Sequence, residues 1–507
     1  MVSISESDKN AAGSEVRDVL ILGGGTAGLI TGITLKRLRP SLAVSIVRDG
    51  ETDLPDESTS AVLPAHLFDT LGVAKDAFYK GAQPTWKRGT RFLWGPREEF
   101  FTDFEIQYDQ AFQGLPKAAG YYAAQDCQNL SQASALMGED LLFPSGPLGK
   151  PIIKGRFGFH MDHDRLLKTL EVYAKQAGVE IQDSELDRAD VADGQITRLQ
   201  FKDGSSRTAD LFIDASGAEA KLIGGALDEP FQPFSSSLPC DRMLIGGWQR
   251  KEDEPIHSYT TMETMDHGWA WQVEHELVLR RGYVYSSSYV SDDEAKAEFR
   301  AKNPELGDEL RRVSFQSGRR ARNWVGNVIA VGDASGYAEP LLGTALTQTI
   351  HEARWIAESI RLTGGSPDAA MKSSFNRVIG VAWDEIRDLL AILYKFNTRR
   401  STPFWQHCRE NTSLGNHEAL VTLFNEIGPS PITLSQLLPG RPHNYGMEGL
   451  LELLVGMQVS YERRHLAAPS EFDQFNQQRG KIATSAKGGL TVKQTLDAIR
   501  KSGWQWT

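Results

Sequence analysis

The stretch Val16-Arg17-Asp18-Val19-Leu20-Ile21-Leu22-Gly23-Gly24-Gly25-Thr26-Ala27-Gly28 decides the fold. Five of its first seven residues are Val, Leu or Ile, the composition of a buried strand. They run directly into the spacing Gly23-x-Gly25-x-x-Gly28. Beyond it Leu29, Ile30, Ile33, Leu35 and Leu38 recur in helical phase until Pro40, and residues 43–47 read as a second buried strand. Strand, glycine turn, helix and strand within about thirty residues make a βαβ unit of the dinucleotide-binding kind. Gly23 permits the tight turn, Gly25 lets backbone approach a pyrophosphate, and Gly28 lets helix and strand pack closely. Thr26 and Ala27 open the helix, whose positive end would face the phosphates. An acidic residue normally ends the second strand and takes the ribose hydroxyls; here Val47 is followed by Arg48 and then Asp49. Arg48 suits a 2′-phosphate, and Asp49 suits the ribose one residue late, so both readings stand at this point.

Further along, residues 162–177 have helical spacing through Leu166, Leu167, Leu170 and Tyr173, with Gly178 as the stop. Residues 195–201 read as a strand, Asp203-Gly204 as a turn, and Leu211-Phe212-Ile213 as a short buried strand ending in Asp214-Ala215-Ser216-Gly217. Residues 325–331 form a third buried strand that runs into Gly332-Asp333. A helix follows Pro340, and most of the chain from Asp368 onward reads as helix. An aspartate at position 333 can hold a ribityl hydroxyl. A helix starting near Gly343-Thr344 points its positive end where a reduced flavin carries negative charge. Two distant glycine motifs joined by one strand end fit FAD far better than NADP. The expected fold class is therefore α/β, with an FAD-binding, Rossmann-like core of the glutathione-reductase or hydroxybenzoate-hydroxylase type. A polar tail (1–15) precedes a discontinuous core (16–110, 155–222 and 315–365). A strand-rich substrate layer (111–154 and 223–314) and a helical C-terminal part (366–507) complete the expected organisation.

Composition narrows the function. The chain has 507 residues, 40% hydrophobic and 24% charged, the balance of a globular protein. With 55 basic and 66 acidic residues its net charge is −11, which argues against nucleic acid and against anionic membrane surfaces as partners. No run of about 18 apolar residues is available to span a bilayer, and residues 1–17 lack the apolar core of a signal peptide. Cys127, Cys240 and Cys408 are far apart, which points to a reducing, cytoplasmic setting rather than to disulfides or a zinc site. His160-Met161-Asp162-His163 has metal-like residue types, but Asp162 precedes a helix and reads as its N-cap, so no metal is expected. No GxSxG hydrolase signature appears.

Period-two alternation in Trp269-Ala270-Trp271-Gln272-Val273-Glu274 puts Trp269, Trp271 and Val273 on one strand face, a wall for an aromatic pocket or simply core. With this segment and Gly282-Tyr283-Val284-Tyr285-Ser286-Ser287, the chain resembles the flavin-dependent tryptophan halogenases. That family lies within the wider superfamily of FAD-dependent halogenases and monooxygenases. The resemblance rests also on the glycine turn and on Asp56-Glu57-Ser58-Thr59. Residues 86–92, from Trp86-Lys87 to Arg91-Phe92, and Leu238-Pro239-Cys240-Asp241-Arg242 carry it further, as do Gly332 to Thr344 and Thr402-Pro403-Phe404-Trp405. It implies an oxidoreductase that uses O2, chloride or bromide, and reduced FAD supplied by a separate NAD(P)H flavin reductase. In that family hypohalous acid travels to a separate aromatic pocket, where a lysine holds or carries the halogen and a glutamate helps the ring lose its proton. The implied substrate is a small electron-rich aromatic or indole-like molecule, free or tethered to a carrier; a non-halogenating FAD hydroxylase and a flavin-binding protein without turnover are the alternative readings.

Lys87 matches the family lysine, and Gly343 and Thr344 would offer backbone N–H groups to flavin and halide. Other positions depart from the pattern. The family's Trp-x-Trp-x-Ile-Pro keeps both tryptophans but continues as Val273-Glu274, and its hairpin-tip Gly-Asn becomes Arg280-Arg281. The family's Glu-Pro-Leu-Glu-Ser-Thr becomes Glu339-Pro340-Leu341-Leu342-Gly343-Thr344, which places Leu342 where the catalytic glutamate is expected. Leucine accepts no proton. Candidates for a replacement base are Glu274 first, then Glu276, Glu57 and His275.

Overall fold

A run of β-branched and aliphatic residues pairs on both edges only where helices cover both faces, and the first apolar stretch is of that kind. Asp18–Leu22 is the central strand, with Val19 to Leu22 fully buried. It pairs in parallel with Ala43–Arg48 on one side and Leu211–Asp214 on the other. The computed structural model describes residues 15–49, 58–61, 64–104, 131–429, 446–463 and 469–506. Asp56, Glu57 and Cys127 lie outside these segments. The sheet is completed by Glu180–Asp183 beyond Ala43–Arg48, and by Val328–Ala330 beyond Leu211–Asp214. Helix Thr26–Leu38 packs on this sheet and against two later helices, His163–Ala177 and Ala345–Leu362. This is the α/β, Rossmann-like core expected from the glycine turn.

The expected strand over residues 325–331 is broken. Trp324–Val325 and Val328–Ala330 form a tight antiparallel ribbon, because Gly326 takes the left-handed conformation (φ +56°) and turns the chain. Asp162 caps its helix as expected, accepting from the Arg165 N–H at 3.0 Å, and Gly178 ends it at φ +85°.

A seven-stranded sheet forms the second layer. Its order is Arg311–Ser314, Arg242–Gln249, Val278–Tyr285, Gly268–Glu274, Tyr259–Thr264, Gly89–Leu93, Phe100–Asp103. Residues 89–103 were expected in the FAD-binding core; they join this sheet because Gly89–Leu93 pairs in parallel with Tyr259–Thr264. Arg280 and Arg281 are not a hairpin tip. They lie inside Val278–Tyr285, paired with Val273 and Gln272, and the turn is at residues 275–277. A three-stranded sheet, Ser58–Ala61, Gly158–Asp162, Thr85–Lys87, bridges the two layers.

The C-terminal part is mainly helical, led by Ala369–Lys395 with Asp368 as its N-cap. Its last segment doubles back, since Gly489–Leu490 pairs with Phe143–Pro144. Among the described residues no helix is long and apolar enough to cross a membrane.

Candidate active site

The glycine turn has the shape a pyrophosphate needs. A Cβ on Gly23 (φ +114°) would lie 2.1 Å from the Ala215 carbonyl oxygen, and one on Gly28 2.0 Å from that of Gly23. Both positions therefore require glycine for the fold itself. Gly25 differs: among the described residues its Cβ would meet nothing within 4 Å. Gly25 is also the N-cap of Thr26–Leu38, and neither a side-chain cap nor an acidic residue in the first turn satisfies that helix end. Open space above uncapped N–H groups, at the positive end of a helix, fits a dinucleotide phosphate.

The strand end beside it resolves the Arg48 alternative. The Arg48 guanidinium donates to Asp183 and, at 3.2 Å, to Glu171, so its charge is met by two carboxylates and no 2′-phosphate is required. Asp49 is corrected as a ribose ligand. Its side chain is 1% exposed; one oxygen accepts from the Leu186 N–H and the other meets the Lys221 ammonium, each at 2.7 Å. That carboxylate knits three chain segments together and is not presented to a ligand.

The distal motif meets the glycine turn, since a Cβ on Gly332 (φ +59°) would lie 2.7 Å from Ala27 Cβ. Asp333 follows, exposed, on the tight turn Gly332–Ala334. Beneath it Glu352 is fully buried, accepting from the Gly332 N–H at 2.8 Å and from the Ser335 hydroxyl at 2.6 Å. Leu342 and Gly343 are consecutive left-handed residues, both at φ +67°. For leucine that conformation costs roughly 1–2 kcal/mol. Thr344 caps helix Ala345–Leu362 with no side-chain hydrogen bond, so this helix start also keeps its N–H groups open to an anion. Strand Ser58–Ala61 packs against the Leu341–Gly343 turn, which ties the turn to the sheet that carries Lys87.

Lys87 is 2% exposed. Arg88 is equally buried, so the pair is not a solvent-facing basic patch. Burial alone pulls the Lys87 ammonium down to about pH 7, so neutral amine is available under ordinary conditions. Its Nζ stands 6.0 Å from the Phe104 ring centroid. On the neighbouring strand Gly158 pairs with Lys87 and His160 with Thr85, which puts Thr85, Lys87 and His160 on one sheet face. His160 is fully buried, with Nε2 2.8 Å from Thr260 Oγ1. Burial first, and the Lys87 charge second, hold the imidazole well below its usual range. Trp86 and Phe159, paired with each other, take the opposite face, where Trp86 packs on Phe143 and Phe159 on Tyr79.

Glu274 is corrected as a base. Its carboxylate is ion-paired with Arg250 and accepts from the Gln272 amide at 2.7 Å, while its carbonyl accepts from Thr85. A buried anion already paired in this way has no freedom to collect a ring proton. Glu276 is likewise committed, to a two-point ion pair with Arg500 at 2.6 Å. His275 is pushed down to about 4 by burial, a weak base near neutral pH.

Trp269, Trp271 and Val273 share one buried face, as alternation predicted, while Ala270 packs on the opposite side with Tyr283 and Tyr285. The Trp269 indole N–H is 3.1 Å from Glu339 Oε2 and 3.0 Å from the Tyr394 hydroxyl, which itself donates to Glu339 at 2.6 Å. Trp271 covers Gly282, where a Cβ would lie 2.2 Å from its ring. Glu339 is fully buried and burial pushes it up to about 7. Sequence reasoning used Glu339 only as a motif letter and missed Glu352 entirely. One signal was available: Glu352 precedes Ile356 and Ile360 by four and eight residues, in phase with the buried stripe of its helix.

The sequence of residues 18–468 matches the family model described as tryptophan halogenase. The chain is 28% identical over 440 residues to tryptophan 7-halogenase KtzQ of Kutzneria sp. (strain 744), covering 78% of this chain and 79% of that one. To tryptophan 6-halogenase ThaL of Streptomyces albogriseolus it is 27% identical over 426 residues, covering 78% and 80%. Among solved structures, MibH, a lanthipeptide tryptophan 5-halogenase, superposes with a TM-score of 0.86 at 30% identity, over 96% of this chain and 93% of that one. On this span, with this fold and these two facing glycine motifs, the chain belongs to the tryptophan halogenase family and is a flavin-dependent halogenase.

Proposed function

We propose that this enzyme halogenates an electron-rich ring, an indole first, with Lys87 as the residue that delivers the halogen. The observation that carries the reading is the burial of Lys87 on a sheet face shared with Thr85 and His160, which lowers its ammonium to about 7. FAD would be held by Gly23, Gly25, Thr26, Ala27 and Gly28 at one end, and by Gly332, Asp333, Gly343 and Thr344 at the other. When bound and reduced by a separate NAD(P)H flavin reductase, FAD supplies with dioxygen the oxidant that turns chloride or bromide into hypohalous acid. The Gly343 N–H is taken by the Pro340 carbonyl at 3.2 Å, so of the two expected positions Thr344, at the uncapped start of helix Ala345–Leu362, is the one that offers the halide a site.

Neutral Lys87 attacks the halogen of hypohalous acid: an N–X bond forms, the X–O bond breaks, and water leaves with the amine proton. The ring then takes the halogen from nitrogen, and its displaced proton restores the amine. Net exchange of N–X and C–H for N–H and C–X consumes no separate base. This explains how a chain with Leu342 at the glutamate position, and with Glu274 locked to Arg250, still serves rings that lose a proton readily. Relatives named for tryptophan and one named for a lanthipeptide tryptophan support an indole, either free or carried on a larger molecule.

The test is a mass-spectrometric product screen. The protein, FAD, NADH, a flavin reductase, air and bromide or chloride would meet indoles, phenols, pyrroles and tryptophan-containing peptides. A halogen isotope doublet that depends on halide and disappears in Lys87→Ala is the expected result. A product that gains one oxygen equally with and without halide would overturn the halogenation reading.

A further inference from the structure

Glu352 sits at the junction of the two glycine motifs, yet nothing in the halogen chemistry uses it. Its Oε2 accepts from the Gly332 N–H at 2.8 Å, and its Oε1 accepts from the Ser335 hydroxyl at 2.6 Å. Ser335 can do nothing else with its proton, because Oγ itself accepts from the Trp383 indole N–H at 2.9 Å and from the Asn323 amide. The turn of residues 332–335 is therefore gripped at both ends by one carboxyl on helix Ala345–Leu362. Between those ends lies Asp333, exposed, and Gly332 abuts Ala27 of the first glycine turn.

We infer that Glu352 is a positioning residue for the flavin, clamping the turn that presents Gly332 and Asp333; this rests on the flavin reading above. It acts as a neutral acid. Gln348 Oε1 is buried with no hydrogen-bond partner, while Gln348 Nε2 is 3.4 Å from Glu352 Oε1. Turning that amide over brings its oxygen to the acid O–H as an acceptor. Burial, opposed by hydrogen bonds from Ser335, Gly332, Gln348 and Trp383, pushes the group up to about 7 in the same sense. Among the described residues no charged side chain acts on it. From its own helix come neutral Gln348 and a neighbouring His351 that burial holds below its usual range; from the turn, Ser335 and Gly332; from helix Ala369–Lys395, Trp383. Arg320 of strand Gly318–Arg320 acts on Asp214 and Glu229, and Arg319 pairs with Asp384 at 3.0 Å.

Oxidised FAD titrated into the full-length protein at pH 6 and pH 8.5, followed by quenching of flavin fluorescence, tests the clamp without turnover. Wild type is expected to bind more tightly at pH 6. Glu352→Gln, the neutral isostere, keeps the pH 6 affinity at both values. Glu352→Ala weakens binding about tenfold at both, the order of one lost buried hydrogen bond. If wild type binds no FAD, the flavin reading itself falls. If wild type binds and Glu352→Ala binds equally well, the clamp falls while the flavin reading survives. Should Glu352→Ala not fold, Glu352→Gln decides: a pH dependence like that of wild type overturns the inference.

Discussion

A lysine stripped of water holds its proton less tightly, and Lys87 turns that into chemistry. Arginine in its place stays charged at any accessible pH and cannot attack a halogen. Lys87→Arg and Lys87→Met are both expected to lose at least about a hundredfold in halogenation while flavin binding is retained, the scale of one transition-state interaction removed. Rapid-mix product analysis beside a flavin titration checks both halves. Glu339 is a structural counterpart. Its Oε2 satisfies two buried donors, Trp269 and Tyr394. Glu339→Leu removes the shared carboxylate, leaving Trp269 only the Tyr394 oxygen at 3.0 Å and Tyr394 only Cys240 Sγ at 3.3 Å, and is expected to cost about 2–3 kcal/mol in urea denaturation, whereas Glu339→Gln keeps an acceptor and costs about 1 kcal/mol. The Lys87 match came from a short local motif, but its burial could not be read there. Lys87-Arg88 looks like solvent-facing charge until a second sheet and a loop are laid over it.

At the scale of elements, the glycine turn separates residues the fold needs from one the ligand needs. Gly23 and Gly28 would clash with backbone, but Gly25 has φ −70° and open space beside it. Gly25→Ala is therefore expected to leave thermal stability within about 1 kcal/mol and yet to weaken FAD binding tenfold or more, because the methyl group occupies the phosphate approach. Equilibrium denaturation and flavin titration of one preparation would show the split. A second element-level effect belongs to the C-terminal segment. Helix Val492–Arg500 is ion-paired to the hairpin turn through Glu276, and Trp506 stacks on Tyr79 at 4.6 Å, with Tyr79 in turn on Trp86. The stack covers the Trp86 face of strand Thr85–Lys87, the face opposite Lys87. Trp506→Ala removes a stacked pair worth about 0.5–1.5 kcal/mol. It is expected to speed amide exchange over residues 74–87 while leaving the Rossmann-like core protected, as hydrogen-exchange mass spectrometry would resolve.

Over the whole molecule, buried titratable groups set how stability follows pH. Glu339, Glu352 and Glu385 are each raised to about 7 by burial. The unfolded chain releases those protons near 4.5, so their contribution is full below that value and is lost as pH rises through 7. Lys87 runs the other way, since its lowered value makes stability fall as pH drops from about 10 through 7. The double variant Glu339→Gln, Glu352→Gln is therefore expected to have a flatter melting temperature between pH 5 and pH 8 than wild type, measurable by calorimetry. A steeper decline in the variant would contradict this assignment. Much of the architecture was written locally. The βαβ unit, the helix after Pro340, the strand at 195–201 and the shared face of Trp269 and Trp271 follow from periodicity and from glycine and proline, whose effects act within a few residues of themselves. The fate of charges was not written locally. Asp49, Glu274 and Arg48 are typical site residues by type, yet each is consumed by a partner more than one hundred positions away or just past the end of another strand: Lys221 and Leu186, Arg250, and Asp183. Glu339 and Glu352, ordinary by type, acquire near-neutral carboxyls only because three elements exclude water around each. The sequence by itself determined where the chain turns and which faces are apolar, since those are short-range steric and hydrophobic choices. The tertiary structure alone decided which ionisable groups are paired, which are dry, and hence which are left for chemistry, because desolvation and ion pairing depend on everything packed around a group.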